Sequence, residues 1–136
     1  MPVLKWIGRK VLALIGAALV VAVAFAVMEL WDGSSLLFSH TVEGLITAGF
    51  FALYIGSLPA LVTTGLSDAI SPAFGNARRT SALVIHLLGG FLVMFALLGF
   101  RPRLSSDDWF FVGLSMGAAL VFFLIDERLR PRLQPR

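Results

Sequence analysis

The stretch Val11–Leu30, VLALIGAALVVAVAFAVMEL, runs for twenty residues with one charged side chain, Glu29. A helix needs about 20 mostly apolar residues to cross the hydrocarbon core of a bilayer. Working outward, the same composition recurs at Val42–Val62, at Ser81–Phe100 and at Trp109–Ile125. The last stretch is slightly short. Trp109 at its start and Asp126 just past its end read as interface positions, so it spans with little tilt. Barrel strands alternate apolar and polar residues over about ten positions. The runs here are continuous and longer. In lipid every backbone polar group must be satisfied internally, so continuous runs read as helices. The expected fold is all-α: an integral membrane four-helix bundle forming a single transmembrane domain over residues 1–136.

Composition points the same way. Hydrophobic residues make up 58% of the chain and charged residues 14%. A soluble domain carries about half apolar and about a quarter charged residues. The chain has no cysteine. A disulfide framework, thiolate metal sites and a cysteine nucleophile are therefore excluded.

Charge distribution sets the expected orientation. The N-terminal flank holds Lys5, Arg9 and Lys10, the first loop has no Lys or Arg, and the second has Arg78 and Arg79. The third loop holds Arg101 and Arg103, and the C-terminal tail holds Arg128, Arg130, Arg132 and Arg136. With both ends inside, the cytoplasmic side carries nine Lys and Arg against two outside. Cytoplasmic flanks are enriched in Lys and Arg, so the expectation is N-in/C-in in the plasma membrane. The imbalance also argues against dual topology. Arg101 and Arg103 are the discordant pair, with Asp107 and Asp108 nearby to offset them. The basic residues before Val11 also fit the opening of a secretory signal, with Ala22, Ala24 and Ala26 mimicking a cleavage site. The reading adopted is a retained helix.

The second loop, Thr63–Thr80, is the longest connection. Leu66, Ile70 and Phe74 recur there at helical spacing among Thr64, Ser67, Asp68 and Ser71. That pattern fits a short helix lying in the cytoplasmic interface. Ser71-Pro72 instead fits the start of a separate turn, with Ser71 as cap and Pro72 in the first helical position. Both readings stay open. Pro59, within the second stretch, removes a backbone donor and crowds the carbonyl of Ile55. Thr63 and Thr64 are placed to re-satisfy the freed groups.

Small residues mark candidate packing faces. Gly44, Ala48, Ala52, Gly56 and Ala60 recur every four residues, Gly113 and Gly117 form a GxxxG pair, and Ala18, Ala22 and Ala26 share that interval. Small residues let helix backbones approach closely, either within one bundle or against a second protein. Glu29, Asp32, His40 and Glu43 gather around the first loop. Such groups can bind a cation or relay protons, but they also sit where interface solvation and the helix dipole favour them. His86, little more than a turn into the third helix, is the one other candidate for a polar or proton site. Its expected partner is Thr63, Thr64, Ser67 or Asp68, so Ser67 and Asp68 become candidate loop anchors. Arg78, Arg79, Arg128, Arg130 and Arg132 are candidate contacts for anionic lipid headgroups. Topology accounts for these arginines, so nucleic acid is not expected as a partner.

No phosphate-binding glycine loop, His-Glu metal motif or GxSxG elbow occurs. The chain is read as no enzyme, with no cofactor and no metal.

Tyr54-Ile55-Gly56-Ser57-Leu58-Pro59 followed by Gly65-Leu66-Ser67-Asp68-Ala69-Ile70-Ser71 resembles small uncharacterised four-span membrane proteins of Bacillus-type bacteria. In those proteins a Gly/Pro-containing helix end leads into a Ser and an acidic residue, and a later helix carries a His followed by Gly, as do His86, Gly89 and Gly90. The resemblance implies four spans and supplies no activity. The functional expectation is helix–helix association, as an accessory, regulatory or immunity-type subunit of a membrane complex. The partners are then the lipid bilayer and either another membrane protein or a second copy. A small ion- or proton-coupled transporter or channel subunit is the alternative.

Overall fold

The computed structural model describes residues 2–31 and 38–130, and all of their side chains except those of residues 2, 29 and 38–41. The chain runs as α1 (Pro2–Trp31), α2 (Phe38–Ile70), a 3-10 helix (Ser71–Ala77), α3 (Arg78–Leu97) and α4 (Ser106–Leu129). No strand occurs among the described residues. Three stretches are long and apolar enough to cross a membrane: Val3–Met28, Val42–Leu97 and Ser106–Leu129. The middle one, of 56 residues, contains α2 from Val42 onward, the 3-10 helix and α3. The chain is a helical membrane protein.

The burial pattern is the reverse of a soluble domain. The interior is built largely from Ala13, Ala17, Ala18, Ala22, Ala26 and Ala82, with Val112, Phe122 and Phe123. Leu19, Val23, Ile46, Phe50, Leu58, Leu92 and many other large apolar side chains face outward. Lipid tails are as apolar as leucine, so burying leucine brings no gain, and small side chains win the interior because they bring backbones together. α1 packs closely on α2 and α4, and α3 on α4; α2 and α3 touch more sparingly. The alanine face of α1 meets α2, where Gly49 looks onto the Ala22 methyl. α3 and α4 pack tightly at Gly90, where a Cβ would sit 2.9 Å from the Ser115 carbonyl oxygen.

The helix ends have local causes. At the end of α3, Gly99 N–H donates to Ala96 O at 2.9 Å and Phe100 N–H to Phe95 O at 3.0 Å. With Gly99 at φ 74°, this is a Schellman motif, and its usual apolar contact is the edge-on Phe95–Phe100 ring pair, 5.5 Å apart. α4 starts on a capping box. Asp108 N–H donates to Ser105 Oγ at 3.2 Å, and Ser105 N–H to the Asp108 carboxylate at 2.8 Å.

Two departures from the sequence reading concern the second loop. α2 does not stop near Val62 but continues to Ile70. Thr64, Ser67 and Ser71 are buried while Leu66, Ile70 and Phe74 are exposed. This segment therefore extends α2 with its polar face turned into the bundle, in place of a separate interfacial helix. Thr64 and Asp68 find partners on α1 and α4, described below, which favours continuing the helix, whereas the buried Ser71 Oγ has no partner among the described residues. The 3-10 helix then makes the turn. Pro72 lies in its first turn, but Ile70 is the N-cap and Ser71 makes no side-chain cap. Gly75, at φ 50° and ψ −113°, breaks the helical path where a side chain would be strained.

α1 and α4 also outrun their expected spans, whereas α3 keeps the expected 20 residues but starts and ends three positions earlier. α1 begins at Pro2, α3 covers Arg78–Leu97, and α4 covers Ser106–Leu129. At 24 residues α4 is not short.

Candidate functional site

The first turns of α1, the last turns of α2 and α4, and the start of α3 meet at one end of the bundle. Their charged side chains form a single layer. Lys10, 2% exposed, places Nζ 3.0 Å from Asp68 Oδ2 and 3.0 Å from Asp126 Oδ2, and also donates to the Thr64 hydroxyl. Arg9 Nε lies 2.8 Å from Asp126 Oδ1, and its guanidinium reaches Asp68 Oδ2 at 3.6 Å. Arg130 pairs with Asp68 Oδ1 and sits 3.2 Å from Glu127 Oε1. Arg78 grips Glu127 with two parallel bonds of 2.9 and 2.6 Å. Trp6 Nε1 donates to Asp68 Oδ2 at 3.0 Å, and the Lys10 ammonium lies 5.5 Å from the Trp6 ring centre.

Four basic and three acidic side chains are thus interleaved. Each carboxylate faces at least two cations. Burying a charge is tolerated when it is paired and hydrogen-bonded, and removing one partner strands the other. The layer links side chains of α1, α2, α3 and α4.

One layer deeper lies His86, 4% exposed. Its ring sits 5.6 Å from the rings of both Phe122 and Phe123. Nδ1 is 2.8 Å from the carbonyl oxygen of Ala82 in its own helix. A carbonyl only accepts, so Nδ1 carries the proton, and in the neutral ring Nε2 is a bare acceptor. Nε2 is buried and has no partner among the described residues. The expected link to Thr63, Thr64, Ser67 or Asp68 is not made. Thr63 turns to the carbonyl of Pro59, Thr64 to Lys10, and Asp68 to the charged layer.

Beyond His86 the bundle is hollow. A cavity of about 100 Å³ lies between the four helices, lined by His86, Thr63, Gly56, Gly89, Ser115 and Phe122 among others. It shares Ala52, Gly56, Val93, Ser115 and Ala118 with a cleft of about 640 Å³. Residues of all four helices line the cleft, among them Glu43 near the start of α2, the end of that helix remote from the charged layer. The walls of the cleft are otherwise almost wholly apolar.

The packing candidates divide. Gly44, Ala48, Ala52 and Gly56 line the cleft, and Ala52, Gly56 and Ala60 line the inner cavity. A Cβ at Gly56 would meet nothing within 4 Å, so this part of the stripe borders open space. Gly113 and Gly117 likewise have no neighbour within 4 Å of a built Cβ. Close approach falls instead to Gly16, which faces Ile125, to Gly89, which faces Thr63, and to Gly90.

The polar candidates divide too. Glu43 is exposed. Asp32 and the side chains of Glu29 and His40 lie outside the described residues. Among the described residues no three His, Cys, Asp or Glu side chains are grouped to hold a metal ion. Of the arginines expected to contact lipid headgroups, Arg78 and Arg130 are engaged in ion pairs, Arg79 and Arg128 are exposed, and Arg132 lies outside the described residues. Ser67 is buried, and Asp68 is an anchor, but within a helix and to α1 and α4.

Sequence reasoning missed the partnership of Arg9 and Lys10 with Asp126, and of Glu127 with Arg78. A signal existed. Lys10 abuts the first apolar run and Asp126 the last, with opposite signs, so a same-side placement of both ends brings them level. Comparison of the chain with protein-family models, curated proteins and solved structures gave no match.

Proposed function

We propose that the chain crosses the plasma membrane four times, with both ends cytoplasmic, and acts by helix–helix association as an accessory or regulatory subunit of a membrane complex. The four crossings follow from dividing Val42–Leu97 at Gly75. A stretch of 56 residues is more than twice one crossing, and its break lies level with the charged layer. Orientation rests on the excess of Lys and Arg at that same end.

The observation that carries the association reading is the open GxxxG face of α4. Gly113 and Gly117 lie one turn apart with nothing near them. Other small residues of this bundle are used to seat a neighbouring helix, as Gly90 is by α4. A face of the same kind left bare suits a helix from a second protein or copy.

The test is the mass and composition of the complex released from native membranes in mild detergent. The wild-type chain is expected in a larger assembly, and Gly113→Leu/Gly117→Leu is expected to release a folded single chain. A wild-type chain that is monomeric, or an assembly unchanged by the double substitution, overturns the reading.

A small ion- or proton-coupled transporter or channel subunit is the second reading, favoured by Glu43 and His86 lining two neighbouring hollows that share Ala52, Gly56 and Ser115 in their walls. It ranks second because no charged side chain among the lining residues stands between them. Ion flux in proteoliposomes abolished by Glu43→Gln or His86→Phe would reverse the order.

A further inference from the structure

The cleft away from the charged layer measures about 640 Å³, within the range of about 300–1,000 Å³ common to small-molecule sites. On α2 its lining runs from Glu43 to Gly56, about 20 Å along the helix. Phe25 near the end of α1, Glu43 near the start of α2 and Phe111 near the start of α4 all line it, and each stands five or six residues from the helix end remote from the charged layer. At about 1.5 Å per residue they share a depth of roughly 8 Å. The Phe25 and Phe111 rings pair there at 6.2 Å between centres. Further along, the walls are Ala52, Ile55, Val93 and Ala118.

The charge of the lining is one-sided. Among the described residues that line the cleft, Glu43 alone is charged and none is basic. Glu43 is exposed, so its side chain is open to a partner. An anion would meet this carboxylate with no Lys or Arg to offset it. An inorganic divalent cation of the calcium or magnesium type takes about six oxygen ligands or more. Here Glu43 is joined only by the hydroxyls of Thr47 and Ser115, and Ser115 Oγ already donates to Gly90 O at 2.8 Å. Among the described residues no three His, Cys, Asp or Glu side chains are grouped to hold a metal ion.

An organic cation with an apolar body meets each part of the lining. The carboxylate offsets its charge, the negative faces of the phenylalanine rings attract it, and the apolar walls take the rest. We propose that this cleft binds an amphiphilic organic cation, its charge at the level of Glu43, Phe25 and Phe111 and its apolar body against Ala48, Ala52 and Ile55. The lining excludes Gly113 and Gly117, so the site does not rest on the association reading.

The test uses the full chain in nanodiscs of zwitterionic lipid, with binding to empty nanodiscs subtracted. The probes are two pairs matched in shape and opposite in charge: tetraphenylphosphonium with tetraphenylborate, and decyltrimethylammonium with decanesulfonate. The readouts are affinity and the methyl resonance of Met94, which lines the cleft. At least one cation is expected to bind saturably and to shift that resonance, and its anionic counterpart to do neither. Tetraphenylphosphonium alone identifies a compact aromatic cation as the ligand class, and decyltrimethylammonium alone a single-chain, lipid-like one. Glu43→Gln is expected to weaken binding about three- to fivefold, the scale of an exposed ion pair, and Glu43→Lys to abolish it. Ala48→Phe, which fills the cleft, is expected to abolish binding as well. Glu43 is exposed, so its variants test the site even where Ala48→Phe does not fold. Asp107→Asn, an exposed carboxylate at the same end outside the lining, is expected to bind as wild type. Equal binding of cation and anion, no saturable binding, full binding by Glu43→Lys, or equal losses in Asp107→Asn and Glu43→Gln overturns the proposal. Gly113→Leu/Gly117→Leu is expected to bind as wild type, which separates failure here from failure of the association reading.

Discussion

Lys10 and Asp126 come from opposite ends of the chain, 116 positions apart, and meet at 3.0 Å with each side chain about 2% exposed. The pair joins the first turns of α1 to the last turns of α4. Its strength is conditional on both members being present. Asp126→Asn leaves Lys10 and Arg9 short of a counter-charge, and breaking such a buried pair is expected to cost about 3–5 kcal/mol. The double substitution Lys10→Met/Asp126→Leu removes one charge of each sign and keeps the balance with Arg9, Asp68 and Arg130. It is expected to cost far less than Asp126→Asn. Unfolding in mixed micelles measures both. A double variant as unstable as the single one would mean that the layer works as specific hydrogen bonds and not as charge balance.

Glycines of the same apparent kind are expected to respond differently. A Cβ at Gly90 would meet the Ser115 carbonyl at 2.9 Å, the Ala119 Cβ at 3.0 Å and the Met116 Cα at 3.2 Å, and two of these are backbone atoms that cannot step aside. Gly90→Ala must push α3 from α4 and is expected to cost about 1–3 kcal/mol. A Cβ at Gly117 meets nothing. Gly117→Ala is expected to be neutral, or stabilising by up to about 1 kcal/mol through helix propensity. The same micelle unfolding assay ranks them, and equal losses at both sites would contradict this packing.

Why one glycine mattered and the other did not was not legible from spacing. GxxxG at Gly113 and Gly117 and the four-residue stripe on α2 are readable patterns, but spacing does not say which face meets a neighbour. Gly90, in no such pattern, took the close contact because α3 and α4 pack at that level. The apolar runs, by contrast, were legible, because bilayer thickness sets their length. The continuation of α2 through Thr64 and Ser67 was not, because a polar turn in a membrane protein reads as a loop until its partner is known. Here the partner was Lys10, half a chain away. His86 stood out as a polar residue in an apolar run, yet its aromatic neighbours Phe122 and Phe123 lie on another helix and carried no local signal.

Arg78 and Arg79 are adjacent and count equally in the topology bias, but they do different work. Arg78 holds Glu127 through two bonds, whereas Arg79 is exposed. Lysine keeps the charge and loses the planar fork. Arg78→Lys is therefore expected to cost about 1 kcal/mol, and Arg79→Lys to be silent, with insertion and orientation unchanged in both. Thermal unfolding compares them. Equal effects would assign the Arg78–Glu127 contact no stabilising role.

The absence of native cysteine makes orientation directly readable. Arg103 is exposed in the turn between α3 and α4, and Arg79 is exposed at the opposite end, where α3 begins. With both ends cytoplasmic, a membrane-impermeant maleimide added to intact cells is expected to label the Arg103→Cys variant and to spare Arg79→Cys until the membrane is opened. Neither substitution threatens the bias: one removes an outer arginine, and the other leaves the inner side well ahead. Labelling of Arg79→Cys alone would invert the orientation. Labelling of both in intact cells would mean that α3 does not cross, which would leave the 56-residue stretch from Val42 to Leu97 on one side of Gly75 only partly embedded.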